Sequence, residues 1–256
     1  TTLNVGNWFV IGRGNGSSGF TSTANIYNST LKSVNFSMGF DDSRAGNLAT
    51  QNFNMTNSTF TESGSFFVAE SVGSTSTVNV SGQSKVNQSA GDFNIGINGV
   101  GTMNISDQSV VASGGNFSAG VNNNSLGTIN ITGQSVVTDV GPMRMGLSAG
   151  ATGIVMVAGS SIVTNNNWLS CGANGTGTLI LKDNAKYYEG SDFNFGDYGA
   201  AGTVGNLTLQ DNAQAVLIGG GSVYVGKTAG AYGYVTQTGG IIDARKAGEF
   251  QLGQAL

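Results

Sequence analysis

The sequence predicts an all-β chain wound as a single-stranded, right-handed parallel β-helix of about nine to ten coils. Three observations carry that prediction: a ten-copy repeat with a period near 27 residues, strict alternation of apolar and polar residues inside each copy, and Gly, Asn or Asp at fixed corner places. The anchor of the repeat is an aromatic or aliphatic residue, any residue, an apolar residue and Gly. It runs Phe9-Val10-Ile11-Gly12, Phe36-Ser37-Met38-Gly39, Phe93-Asn94-Ile95-Gly96 and Phe117-Ser118-Ala119-Gly120, then through Met143, Leu169, Phe193, Val223 and Phe250. In Phe66-Phe67-Val68-Ala69 the Gly is replaced by Ala. Successive anchors lie 27, 30, 27, 24, 26, 26, 24, 30 and 27 residues apart.

Each coil is expected to hold three short strands. One precedes the corner, as in Gly101-Thr-Met-Asn-Ile-Ser-Asp-Gln-Ser-Val-Val111 and Gly127-Thr-Ile-Asn-Ile-Thr-Gly-Gln-Ser-Val-Val137, where apolar and polar residues alternate as a half-buried strand requires. The corner itself falls on Asn28, Asn57, Gly82, Asp107, Gly133, Gly159, Asp183 and Asp211, residue types that tolerate a positive φ. Two places on, a small residue is expected to tuck under the corner: Thr30, Thr59, Ser84, Ser109, Ser135, Ser161, Ala185 or Ala213. A second strand follows, then a Gly-rich loop and the anchor strand. A period near 27 is too long for a hexapeptide coil and too short for a propeller blade.

Stacking coils at about 4.8 Å turns equivalent positions into ladders. The anchor ladder contains Phe9, Phe36, Phe66, Phe93, Phe117 and Phe193, which core stacking explains without a ligand. The outward middle position of the pre-corner strand stacks Asn25, Asn54, Asn79, Asn104 and Asn130, whose amides can bond along the column. The last four of these also read Asn-x-Ser/Thr, but glycans one coil apart would collide. Loop residues such as Asn15 and Asn174 are the places where a glycan has room. The whole chain, residues 1–256, is expected to be one solenoid domain, uncapped at both ends and either continued in a longer solenoid or stacked on other copies. The 30-residue intervals place longer loops at residues 40–47 and 197–202.

The repeat module Gly-Thr-Ile-Asn-Ile-Thr-Gly-Gln-Ser-Val-Val, followed by Gly-Gly and Asn116-Phe117-Ser118-Ala119-Gly120, resembles the passenger-associated repeats of autotransporter-type and related secreted bacterial surface proteins. The resemblance covers nearly the whole chain and implies an extracellular or cell-surface shaft with an adhesive role. The membrane barrel of an autotransporter does not occur in this sequence.

Composition narrows the chemistry. Charged residues make up 9% of the chain, against about 25% in an ordinary domain. The ten Lys and Arg are too sparse to neutralise a row of phosphates, so nucleic acid is not an expected partner. There is no His, which removes imidazole catalysis and most zinc sites. No run of about 18 apolar residues suggests a membrane span. Neither a metal nor another cofactor is expected. Cys171 stands at an inward anchor position and reads as a small buried hydrophobe. Outward Thr is too rare for an ice-binding face, and no Gly-rich string sits between a strand and a helix to cradle phosphate.

The expected function is non-catalytic: a structural or adhesive fibre that associates end to end. The alternative is a β-helix that binds or degrades polysaccharide through loop acids and aromatics. Its candidate acids are Asp192, Asp197 and Glu189, then Asp41 and Asp42 beside Arg44, with Tyr187, Tyr188 and Tyr198 to stack on sugars. Asp92 and Asp192 hold equivalent places four coils apart, too far to form a catalytic pair. Asp107, Asp183 and Asp211 are assigned to corners, and solvated loop acids are the competing reading of both candidate clusters.

Overall fold

A computed structural model describes residues 1–14, 19–40, 49–198 and 202–253. Among these the chain is all strand and turn, wound into a parallel β-solenoid of about nine turns with about 26 residues per turn. Three parallel sheets run along it: two of ten strands and one of nine. One coil shows the plan. Val100–Ile105 is the long strand, Asp107 turns the corner, Val110–Ser113 is the second strand, and Phe117–Ala119 is the anchor strand. Each strand pairs only with its equivalents one coil before and after. Every ladder hydrogen bond is therefore non-local in sequence, which lets a local pattern of about 27 residues specify the whole fold.

The anchor ladder forms in the predicted register: Phe9 opposite Phe36, Phe36 opposite Phe66, Phe66 opposite Phe93 and Phe93 opposite Phe117. It continues through Met143, Leu169 and Phe193 to Val223 and Phe250. The Phe66 and Phe93 rings stack with centroids 4.2 Å apart and planes 7° apart, while Phe93 meets Phe117 edge-on at 4.8 Å. Phe53 and Phe60 from the other two sheets close on Phe36 at 5.1 and 5.4 Å, so all three sheets meet in one aromatic core. Each fully buried Phe contributes roughly 1.5–3 kcal/mol by burial alone.

The Asn ladder also forms. Asn54, Asn79, Asn104 and Asn130 each donate an amide N–H to the preceding Asn carbonyl at 2.7–2.9 Å, beginning at Asn25. Met156, Ile180, Thr208 and Thr236 then take over the same position. These four sequon amides hold the column together and point away from glycosylation. Of the two loop Asn singled out for glycans, Asn174 donates to the Leu147 carbonyl at 3.1 Å, and Asn15 lies outside the described residues.

All eight predicted corner residues have positive φ, from 48° at Asn28 to 76° at Gly133. One detail differs. Thr59 pairs with Lys85, and Lys85 with Val110, so Thr30 and Thr59 belong to the second strand and are not the residues tucked under the corner. Ser29 and Ser58 hold that place: Ser29 N–H donates to Ser58 Oγ, and Ser58 N–H to Ser84 Oγ, both at 3.1 Å. The corners built on Asn28 and Asn57 are one residue tighter than the rest.

The anchor Gly is required for two reasons. Gly120 has φ +66°, and a Cβ there would stand 2.1 Å from the Thr152 carbonyl oxygen of the following coil. Gly127, at the start of a long strand, has an ordinary φ but passes so close to this turn that a Cβ would meet the Gly120 nitrogen at 2.2 Å. Ala69 takes the same left-handed turn at φ 55°. Of the two expected long loops, residues 41–47 and 199–201 lie outside the described residues.

Two substitutions test this architecture by urea unfolding. Phe93→Ala empties a fully buried ladder position and is expected to cost about 3–5 kcal/mol. Gly120→Ala combines backbone strain with a backbone clash and is expected to cost at least about 2 kcal/mol. Wild-type stability in the Gly120 variant would show that the anchor turn has room the structure does not contain.

Candidate functional site

Among the described residues, the acids proposed for carbohydrate chemistry have separate partners. Glu189 is fully buried, with its carboxylate accepting from Asn165 Nδ2 at 3.0 and 3.2 Å and from the Tyr187 hydroxyl at 3.3 Å. Asp192 caps a loop by accepting the Ser222 N–H at 2.9 Å. Asp197 is 2% exposed and pairs with Lys227 Nζ at 3.1 Å. Reading Glu189 and Asp197 as solvated loop acids is thus corrected: both lie inside the structure. Tyr187 is fully buried as well and presents no face to a sugar, whereas Tyr198 is exposed. Asp41, Asp42 and Arg44 lie outside the described residues. Asp107, Asp183 and Asp211 do sit at corners, each accepting or donating along the corner column; Asp107 accepts the Gly82 N–H at 2.7 Å.

Glu189 belongs to a feature that the sequence reading missed. The last inward position of the second strand carries Ser33, Glu62, Gln88, Ser113, Asp139, Asn165 and Glu189 in successive coils, all buried. Registers place Ser33 opposite Glu62, Glu62 opposite Gln88, Ser113 opposite Asp139 and Asn165 opposite Glu189. Leu217 then returns the column to hydrocarbon. Counting forward from each corner would have found it: the polar residue stands five or six places beyond Asn28, Asn57, Gly82, Asp107, Gly133, Gly159 and Asp183. No two carboxyls are adjacent in the column. Burial pushes the Glu62 carboxyl up to about 9 and the Asp139 carboxyl up to about 7, against partial relief at Asp139 from Ser113 and the amides of Val140 and Gly141. Burial also raises Glu189, and its hydrogen bonds offset only part of that. Burial thus disfavours the charged form of all three carboxyls.

The outward face of the anchor sheet offers a different site. Across its second to fifth coils a cleft of about 730 Å³ is lined by Phe67 and Asn94 from the sheet and by Phe40, Glu70, Ile97, Asn98, Val121 and Asn122 from the turns that follow it. A smaller cavity of about 320 Å³, reaching Trp8 and Arg13, shares Phe40 and Glu70 with the cleft and extends it. Trp8 directly precedes the Phe9 anchor, so it faces outward, and its ring lies 6.3 Å from that of Phe67. The Arg13 guanidinium stands 5.6 Å from the Phe40 ring centroid. Glu70 accepts from the Ser37 hydroxyl, and burial raises its carboxyl above the usual range despite that bond. Asn98 donates to the Glu70 carbonyl at 2.6 Å and accepts from Asn122 at 2.9 Å. Toward the other end of the sheet, Trp168 holds the place equivalent to Trp8 and meets Tyr198 edge-on at 6.5 Å, close to the Asp197–Lys227 pair. Cys171 is fully buried and burial pushes its thiol up to about 12, as expected for a core residue and not a nucleophile.

The terminal coils form the other surface of interest. Thr2–Asn4 and Trp8–Ile11 are edge strands at one end, and Tyr232–Gln237, Ile241–Asp243 and Phe250–Leu252 are edge strands at the other. Inward positions that are buried one coil further in, at Val223 and Val225, are open here: Phe250 is 48% exposed and Leu252 74%, and Ile241 on the outward side of its strand is exposed as well.

Fold and surface together define a three-sheeted parallel β-solenoid repeat protein. Comparison with known proteins gives no matching family model, no matching curated protein and no matching solved structure. None of the three comparisons links the chain to autotransporter-type passenger repeats.

The buried carboxyls make stability depend on pH with a definite sign. Their folded values lie above the unfolded ones, near 4, so the folded chain holds protons that the unfolded chain releases. Stability is complete below about pH 4 as far as these groups are concerned, and falls as pH rises through about 7 for Asp139 and about 9 for Glu62. Thermal melts are expected to give a lower Tm at pH 8.5 than at pH 5. Glu62→Gln, which keeps shape and polarity without a titrating proton, should flatten that slope and raise the Tm at pH 8.5; a Tm that climbs with pH in both proteins would contradict the column.

Proposed function

We propose that this chain is a non-catalytic structural or adhesive β-solenoid of the extracellular space or cell surface, extended by end-to-end stacking of coils. The unbroken in-register pairing of all three sheets, coil on coil, carries the reading. Both ends present strands of the same three sheets at the same spacing, so a further coil set on either end continues every ladder, whether it comes from the same chain or a second copy. Heterologous contacts of this kind do not close and produce filaments. The placement of Glu189 and Asp197 inside the structure supports a structural role for acids that a polysaccharide-degrading enzyme would need at its surface. The cleft beside Trp8 favours a second reading in one respect: carbohydrate binding as the adhesive element, without degradation.

Assembly is tested by light scattering and negative-stain imaging over a rising concentration series. Rods that lengthen with concentration are expected, and Ile241→Arg with Leu252→Arg, which places charge on an exposed end, should hold the protein as single rods with an unchanged circular dichroism spectrum. Compact single particles at every concentration would refute stacking.

A further inference from the structure

We propose that the cleft on the outward face of the anchor sheet, between Trp8 and Asn122, binds a neutral polysaccharide chain lying along the solenoid axis. This rests on the adhesive part of the proposed function and is independent of end-to-end stacking. The cleft crosses five successive coils, from Trp8 in the first to Asn122 in the fifth. Four coil spacings amount to about 19 Å, room for several sugar units in a row.

Its chemistry alternates in the way that a sugar ring does. Saccharides present C–H faces that lie on aromatic rings and hydroxyl edges that bond to amides and carboxyls. Trp8, Phe67 and Phe40 supply ring surface, and Trp8 is 43% exposed although it is one of the largest apolar side chains in the protein. Asn94, Asn98 and Asn122 supply amides. Asn94 is 8% exposed and its carbonyl oxygen has no hydrogen-bond partner, although it lines the cleft. A few polar groups set among apolar walls is the usual make-up of a site for a small organic ligand.

Other ligand classes fit less well. An anionic polymer would need a surplus of cations, but among the described lining residues Arg13 is the cation and lies over the Phe40 ring with Glu70 in the same cavity. An extended peptide that adds to a sheet needs a free strand edge, and the strands of the cleft floor, Phe66–Val68 and Phe93–Ile95, are paired on both sides. A lipid would meet Asn94, Asn98 and Asn122 where it needs hydrocarbon.

Titration calorimetry and tryptophan fluorescence with neutral hexasaccharides of glucose, mannose and xylose test this, with polygalacturonate as an acidic comparison. At least one neutral oligosaccharide is expected to bind and to perturb tryptophan emission. Trp8→Ala and Phe67→Ala should each weaken it tenfold or more. Trp168→Ala removes the equivalent tryptophan away from the cleft and should leave the affinity unchanged, which also controls for general damage to the ladder. Failure of all the neutral sugars to bind at millimolar concentration, binding of the acidic polymer alone, or equal losses in the Trp8 and Trp168 variants would each overturn the proposal. Repeating the titration on the Ile241→Arg, Leu252→Arg protein separates the two readings: binding retained without filaments leaves the cleft standing when stacking fails.

Discussion

Parallel in-register pairing at one coil spacing governs everything else in this molecule. Each side chain has as its nearest neighbours the residues at the same place one coil above and below, about 4.8 Å away. A position is therefore acceptable only if its residue type tolerates being stacked on something similar. Phe satisfies this by ring stacking, Asn by amide-to-carbonyl bonding, and Gly or Asp by repeating one left-handed corner. Away from the corners, where Asp183 and Asp211 follow one another with the Asp183 N–H bonded to the Asp211 carboxylate, like charges one coil apart repel and satisfy it poorly. That is the physical reason a chain of 256 residues contains only 24 charged ones, 10 basic and 14 acidic.

The buried polar column shows how far the constraint reaches. Glu62, Asp139 and Glu189 stand in one line along the inside of the solenoid, yet each is flanked by a neutral residue, and burial shifts each carboxyl toward its protonated form. A protonated carboxyl can both donate and accept, as an Asn or Gln amide does, so it suits a ladder where a carboxylate would not. The cost is a coupling between pH and stability that a hydrocarbon column, such as the one resumed at Leu217, does not have.

Function is expected where the stacking rule is relaxed. The first and last described coils pair on one side only, which the proposed stacking would complete. Along the outward face of the anchor sheet the repeat no longer dictates residue type: Ser37, Phe67, Asn94, Ser118 and Arg144 follow one another with no common chemistry. That irregularity opens a cleft in the first five coils. The proposed shaft and the proposed binding site thus use different parts of the same coil, and neither needs the other to form.

The repeat, the three strands per coil, the anchor Phe ladder, the Asn ladder and the eight corners were all legible in the sequence, because each follows from local period-2 alternation and a fixed count to the next anchor. The same count went astray at Thr30 and Thr59, where a corner shorter by one residue shifts the tucked position to Ser29 and Ser58. It also hid the polar column, whose distance to the next anchor varies with the loop between them. Only the tertiary structure decided which acids are inside, because a Glu at a strand end looks the same in sequence whether the sheet turns it inward or out. Only the tertiary structure gathered Trp8, Phe40, Phe67 and Asn94 into one cleft. Those residues lie in four different coils, and their proximity arises from stacking across distances that no local pattern records.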